Sequence, residues 1–299
     1  MAVLPAILSD CGTQDWRISI KMTGIPIQLP GVSMSADHFS LFEQLHHNAA
    51  PLLLANVWDP ASAVLVQSTG APALATSSAA FAWALGYADG GHLPRAELMA
   101  AIRRIVRVIK VPLTVDMEQG YSDDPEAVAD LVAEAAECGA CGINLEDGGQ
   151  ASEALARKIE AIKRKPQGRR VFVNARTDVY LHSLAEGDAA VAMSLERLRR
   201  YADAGADGAF VPGVRDAAAT ARLAQGTALP LNLMLVDGMP PIAQLHAAGA
   251  RRFSAGPGLF KAAYARAHAL AQQLLDGRTD GGLFDFGAVT YAAMNAAMS

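Results

Sequence analysis

The chain has 299 residues, 52% of them hydrophobic, with a formal charge of −5 and a sequence pI near 5.8. That length can bury a large core, so one domain of α/β-barrel size fits as well as two smaller ones, and a single domain is the starting expectation. The acidic balance argues against nucleic acid as a partner, because phosphate binding needs clustered Lys and Arg, and no apolar run nears the roughly 18–20 residues that span a bilayer.

Residues 1–33 scatter Pro and Gly without a period and lack the basic start of a signal peptide, so they are expected to be an N-terminal extension. Ser35 or Asp37 suits a helix cap, and a single barrel domain with a C-terminal helical tail is expected over residues 34–299. From there short apolar runs alternate with helical ones. Leu52 to Val57 precedes the helical PASAVLVQSTG, and Ala71 to Ala75 ends in Thr76-Ser77-Ser78. Leu98 to Ile109 has helical spacing and leads into Val111 to Val115. Pro125 to Glu137 opens as DDPE, with Pro at the first helical turn. Strands at Gly142 to Leu145, Val171 to Val173, Gly208 to Val211, Leu231 to Leu235 and Arg251 to Ala255 alternate with helices at Glu153 to Lys163, Asp188 to Ala204, Asp216 to Ala224, Pro240 to Ala248 and Phe260 to Leu275.

Strands that are apolar throughout belong to a parallel sheet buried on both faces. Polar residues and Gly gather after each strand, whereas the joins before them (CGACG, DAGADG, HAAGA) are plain. A (β/α)8 barrel with its site at the C-terminal strand ends follows. A doubly wound open sheet is the alternative, without a GxGxxG fingerprint to support it.

Val111 to Asp147 holds most of the chemistry. The first of its two strands ends in Asp116 and Glu118, which on a strand point to the same side, and the second ends in Glu146 and Asp147. Asp89, in the loop GYADGGHLP, offers a further oxygen. Carboxylates without His or Cys suit Mg²⁺ or Mn²⁺; the bland alternative is helix capping or pairing with Arg. Arg176 is a fork for a carboxylate or a developing enolate oxygen, or else the partner of Asp178 or Glu146. Thr76, Ser77 and Ser78 form a turn able to cradle an anion. Asn232, inside PLNLML, must find a partner, either substrate or another core polar group. The Gly256-Pro-Gly258 turn resembles the backbone phosphate sites that some barrels carry after their last strands, or is a plain strand-to-helix join, the preferred reading. His46 and His47 are expected on a solvated helix end.

Cys11, Cys138 and Cys141 give no disulfide framework and fit a reducing cytoplasm. Cys138 and Cys141 have redox-motif spacing but follow a helix, where no N-terminal dipole stabilises a thiolate, so packing is their expected role.

The segments NVWDPASA, ATSSAAFAWALGYADGG, VPLTVDMEQGYS, GINLEDG, VNARTDVY, FVPG and PLNLML, in that order from about Ser40 to Gly258, resemble the isocitrate lyase and phosphoenolpyruvate mutase superfamily. The resemblance implies a Mg²⁺-dependent barrel enzyme, a tetramer built from dimers that exchange their last barrel helix. It implies that Asp116, Glu118 and Glu146 are metal-site acids, several acting through water, and that Asp89 is a loop acid near the metal. By the same resemblance Arg176 and Asn232 contact a substrate carboxylate, and Trp58 and Thr76 to Ser78 belong to the substrate-binding part. Its chemistry breaks or rearranges a bond next to an enolpyruvate unit. The chain departs from the isocitrate and methylisocitrate lyases in having no Lys-x-Cys-Gly-His loop: Glu146-Asp147 is followed directly by GGQASEALARK. That leaves carbon–carbon cleavage of a simpler 2-oxo or 2-hydroxy dicarboxylate, oxaloacetate-like or alkylmalate-like, with Tyr121 as the nearest hydroxyl to donate a proton. Carbon–phosphorus chemistry on a phosphonopyruvate-like substrate and a silent metabolite-binding barrel are the alternatives.

Overall fold

Alternating apolar and amphipathic runs become, in the computed structural model, parallel strands that, β1 (Leu52–Leu54) apart, are each followed by helix. The structure describes residues 38–287 and 289–299. The expected N-terminal extension and the Ser35 or Asp37 cap lie outside the described residues.

After α1 (His38–Leu45) the strands are β1 (Leu52–Leu54), β2 (Asn56–Val57), β3 (Leu74–Thr76), β4 (Leu113–Asp116), β5 (Gly142–Glu146), β6 (Phe172–Arg176), β7 (Gly208–Phe210), β8 (Leu231–Met234) and β9 (Ala250–Ser254). All pair in parallel in the order β1-β9-β8-β7-β6-β5-β4-β3-β2. The run expected as one strand from Leu52 to Val57 is therefore two, broken at Ala55, with β1 on β9 and β2 on β3. The buried Asn56 amide stitches this seam: Nδ2 donates to Thr76 O at 2.6 Å and Oδ1 accepts from Ala255 N at 2.8 Å. The expected (β/α)8 barrel is the observed fold.

The helices are α2 (Pro60–Ser68), α3 (Ser78–Ala84), α4 (Arg95–Val106), α5 (Pro125–Glu137), α6 (Ser152–Arg164), α7 (Gly187–Asp203), α8 (Ala217–Gly226), α9 (Ile242–Ala247), α10 (Gly258–Leu275) and α11 (Tyr291–Met298). Their starts follow the sequence signals. Asp59 and Ser62 form a capping box before Pro60, Asp124 caps α5 ahead of Pro125, and Asp216 caps α8. Along β5 and β6, Ile143, Leu145, Val173 and Ala175 join Val128, Val132, Leu155 and Ile159 in the layer between sheet and helices. The alternate residues Asn144, Glu146, Asn174 and Arg176 face the barrel axis.

Helix α1 closes the N-terminal mouth. Phe42 meets Phe172 edge-on at 5.6 Å, and His46, one helical turn later on the same face, stacks on Phe172 at 4.0 Å. This corrects the solvated reading of His46, which is 1% exposed; His47 is exposed. Burial, then the charge of Arg252, pushes His46 down to about 3, so the ring is neutral. At the other end α10 buries Phe260 and leaves most of its length exposed. Among the described residues no helix is long and apolar enough to cross a membrane.

Candidate active site

The strand ends surround a cavity of about 250 Å³ whose lining includes Ser77, Ser78, Asp89, Asp116, Asn144 and Arg176, with Phe210, Met234 and Trp83. A second cavity, about 360 Å³, is lined by Glu118, Tyr121, Glu146 and the Gly90-Gly91 loop. The two share a wall, because Arg176 of the first reaches Glu146 of the second, Nη1 to Oε2, at 2.5 Å.

Asp116 ends β4. Its backbone N–H donates to Thr76 Oγ1 at 2.9 Å and its Oδ2 accepts from Ser78 N at 3.1 Å. The turn expected to cradle an outside anion thus holds a carboxylate of the protein, while Ser77 Oγ caps α3. The other oxygen, Oδ1, is buried and has no partner among the described residues.

Glu118 does not point beside Asp116 by strand alternation, as the two-residue spacing suggested. The strand stops at Asp116, and Glu118 lies at φ 50°, in the left-handed region, followed by Gly120 at 90° and Tyr121 at 58°. Three bonds hold this turn: Gly120 N to Met117 O at 2.8 Å, Glu146 N to Glu118 O at 2.9 Å, and buried Lys158 Nζ to Gln119 O at 2.8 Å. Two non-Gly residues with positive φ mark strain that the surroundings enforce. The turn folds Tyr121 back so that its hydroxyl donates to Glu118 Oε1 at 2.9 Å. Burial pushes the Glu118 carboxyl up, with the charges of Asp89 and Asp116 adding to it and the Tyr121 bond opposing. Burial, then Glu118, pushes the Tyr121 phenol up.

Arg176 pairs with both acids that the sequence offered: Glu146, and Asp178, whose Oδ1 accepts from Nε at 2.6 Å and Oδ2 from Nη2 at 3.2 Å. Three of its five N–H groups are committed, leaving two for the cavity. Burial first, then the like charges of Asp116, Asp178 and Glu118, drives Glu146 up against the pull of Arg176.

Other sequence candidates fall elsewhere. Asp147 turns away from the site and ties loops together, accepting from Tyr201 Oη at 2.7 Å, Arg197 Nη1 at 2.8 Å, Gly149 N at 2.9 Å and Asp178 N at 3.1 Å. Asn232 lies below the cavity, and its amide is satisfied by Asn174, Leu233 O and Arg252 O. Trp58 is not among the residues lining either cavity and lies edge-on to Phe260 at 5.2 Å, whereas Trp83 lines the first. Sequence reading missed Asn56, Asn144, Phe210 and Met234. For Asn144 the signal was present: it precedes Glu146 by two residues on one strand, hence on one face.

Among the described residues no three His, Cys, Asp or Glu side chains close round a single point. The orphaned Asp116 Oδ1 and the crowding of Asp89, Asp116, Glu118 and Glu146 nevertheless fit a hard cation held by few direct ligands and by water.

The family model described as phosphoenolpyruvate phosphomutase matches residues 42–275. The chain belongs to that family. It lies within the isocitrate lyase and phosphoenolpyruvate mutase superfamily, whose members are lyases and mutases. An uncharacterised protein of Mycobacterium tuberculosis is 38% identical over 245 residues, 79% of this chain and 89% of its own length. The 2-methylisocitrate lyase of Salmonella typhimurium is 30% identical over 193 residues, 60% of this chain and 64% of the lyase. A solved structure from Burkholderia cenocepacia, provisionally assigned as a phosphonomutase, is 40% identical with a TM-score of 0.75, covering 79% of this chain and all of its own.

Proposed function

We propose that this member of the phosphoenolpyruvate phosphomutase family is a Mg²⁺-dependent lyase, with Mn²⁺ as a substitute, that cleaves a carbon–carbon bond of a small oxaloacetate-like or alkylmalate-like dicarboxylate. The observation that carries the reading is Asp116 Oδ1, a buried carboxylate oxygen without a partner among the described residues, in the same cavity as the Arg176 guanidinium. Asp116 would hold the cation directly, with Glu118, Glu146 and Asp89 acting through its water. When bound, Mg²⁺ supplies Lewis-acid stabilisation of charge building on the 2-oxo or 2-hydroxy oxygen. The two free N–H groups of Arg176 bind the adjacent carboxylate, while Glu146 and Asp178 keep the guanidinium plane fixed. Tyr121, the hydroxyl among these acids, carries the proton that completes the product.

A cavity of about 250 Å³ suits a four- to six-carbon acid. Cytoplasmic residence belongs to the same proposal, supported by the free thiol of Cys138. So does a dimer of dimers that exchanges α10, supported by the exposed length of that helix.

The test is a panel of oxaloacetate, alkylmalates, methylisocitrate and phosphonopyruvate, with Mg²⁺ or EDTA, scored by pyruvate release. Asp116→Ala is expected to stay folded and lose cation-dependent turnover; full turnover in that variant would overturn the reading. The phosphonomutase-like relative favours carbon–phosphorus rearrangement as the second reading, and phosphorus NMR of the phosphonopyruvate reaction separates the two. A chain that consumes nothing, yet is stabilised by oxalate with Mg²⁺, is a binding barrel.

A further inference from the structure

Below the cavity floor runs a series of amides whose orientations follow one from another. Asn232 Nδ2 donates to two backbone carbonyls, Leu233 O at 2.8 Å and Arg252 O at 3.3 Å, which can only accept. Asn232 Oδ1 must then receive, and it does so from Asn174 Nδ2 at 3.0 Å. The same Asn174 nitrogen donates to Asn144 Oδ1 at 2.9 Å. Arg252 Nη2, which has no acceptor capacity, donates to that oxygen at 3.0 Å. Two donors fix the Asn144 amide with its oxygen turned inward. Its nitrogen, which bonds no group among the described residues, is left to the cavity that Asn144 lines beside Asp116 and Arg176.

Arg252 is fully buried and touches no carboxylate among the described residues. Its Nη1 lies 3.4 Å from His46 Nε2, a lone-pair nitrogen because the His46 Nδ1 proton is committed to Phe42 O at 2.8 Å; its guanidinium carbon stands 5.7 Å over the Phe42 ring. Burial pushes Arg252 down to about 9, so the group stays charged at neutral pH. A buried cation held by neutral groups does little for stability, and an apolar side chain of similar volume is often as stable. Its charge polarises the amide it binds and strengthens the N–H groups on the far side.

We propose that Asn144 is a catalytic residue, its amide N–H groups binding the substrate oxygen on which negative charge accumulates, and that Arg252 is the positioning residue that orients and polarises it. This rests on the lyase reading. Asn144→Asp keeps both inward acceptor bonds and removes both donors, and Asn144→Ala removes the donors without adding charge. On the substrate that the wild type consumes, both are expected to lose about 10²–10³ in kcat, as when an oxyanion donor is removed, with little change in KM; Asn144→Asp should melt near the wild type, whereas Asn144→Ala, which also takes this acceptor from Asn174 Nδ2 and Arg252 Nη2, should melt lower. Arg252→Met is expected to lose about tenfold in kcat while its melting temperature holds or rises, with Arg252→Lys in between; a merely structural arginine would lower the melting temperature and leave turnover per folded molecule intact. Calorimetry of oxalate in the presence of Mg²⁺ needs no turnover, and both Asn144 variants should bind it about tenfold more weakly or worse. Folded Asn144 variants that bind oxalate and turn over like the wild type overturn the proposal. A wild type inactive on the whole panel, but losing oxalate affinity in both variants, sinks the lyase reading and with it the catalytic role, and keeps only Asn144 as an anion-binding residue positioned by Arg252.

Discussion

Removing the Asp147 carboxylate tests how the site's loops are held. The side chain is fully buried and accepts four bonds, from Tyr201, Arg197 and two backbone N–H groups, joining the loops after β5 and β6 to helix α7. In Asp147→Ala Tyr201 Oη and the Gly149 and Asp178 N–H groups lose this acceptor, and Arg197 Nη1 keeps only Gln150 O. A buried unsatisfied group costs about 1–3 kcal/mol, and stripping one partner from a buried ion pair costs about 3–5 kcal/mol. The four bonds share one side chain and do not add, so about 4 kcal/mol is expected in all. At roughly 2–4 °C per kcal/mol for a domain of this size, Tm falls by about 10 °C. Asp147→Asn keeps the shape and loses the charge, for about 2 kcal/mol. Burial acts to raise the Asp147 carboxyl, but the hydrogen bonds from Tyr201, Gly149, Asp178 and Arg197 prevail and hold it below its usual range. A group depressed on folding contributes fully above its unfolded value, near pH 4, and loses that contribution as pH falls through the folded one. Urea unfolding followed by circular dichroism should therefore show a gap between wild type and Asp147→Asn that is constant above about pH 5 and closes only as pH falls below about 4. An Asp147→Ala protein within about 1 kcal/mol of wild type would refute the reasoning, and a gap that ignores pH would remove the charge from it.

Two substitutions probe the turn that carries Glu118. A Cβ on Gly120 would stand 2.7 and 2.9 Å from the Val128 methyls at φ +90°, so Gly120→Ala should cost about 2–4 kcal/mol and depress turnover; an unchanged thermal melt would contradict that. Lys158→Met removes the buried donor to Gln119 O. It should leave stability near wild type, because the ammonium is costly to bury, yet raise the Mg²⁺ concentration for half-activation by roughly fivefold as the turn relaxes; an unchanged Mg²⁺ titration would show that Lys158 does not set the position of Glu118.

Strand order and helix starts were legible because each is written locally. Apolar runs ending in polar residues mark the strand ends, and Asp59-Pro60 and Asp124-Pro125 mark helix starts. Misreadings arose where one local rule met a competing geometry. Alternation predicts that Asp116 and Glu118 share a side, but the strand ends between them and a left-handed turn delivers Glu118 instead. Counting from the helix end put His46 in solvent, whereas counting four residues from Phe42 puts it on the buried face. Asp147 follows a metal-site candidate and reads like another, but the strand's alternation sends neighbouring side chains to opposite faces, one to the cavity and one to α7.

The charge balance of the site was beyond sequence reading, because it depends on which groups share one enclosure. Asp89, Asp116, Glu118, Glu146 and Asp178 gather at the strand ends against the guanidiniums of Arg176 and, one layer down, Arg252. With all seven ionised the enclosure carries three negative charges, and an anionic acid entering it would meet net repulsion. Burial and mutual repulsion already push Glu118 and Glu146 toward protonation. A divalent cation relieves that crowding and reverses the repulsion where the substrate's oxygens must lie, so cation binding ahead of, or together with, the acid is the order these charges favour. Arg252 belongs to that balance even though it lies outside the cavity: an apolar side chain would serve packing equally well, and its buried charge, beneath Asn144, offsets part of the carboxylate excess above it.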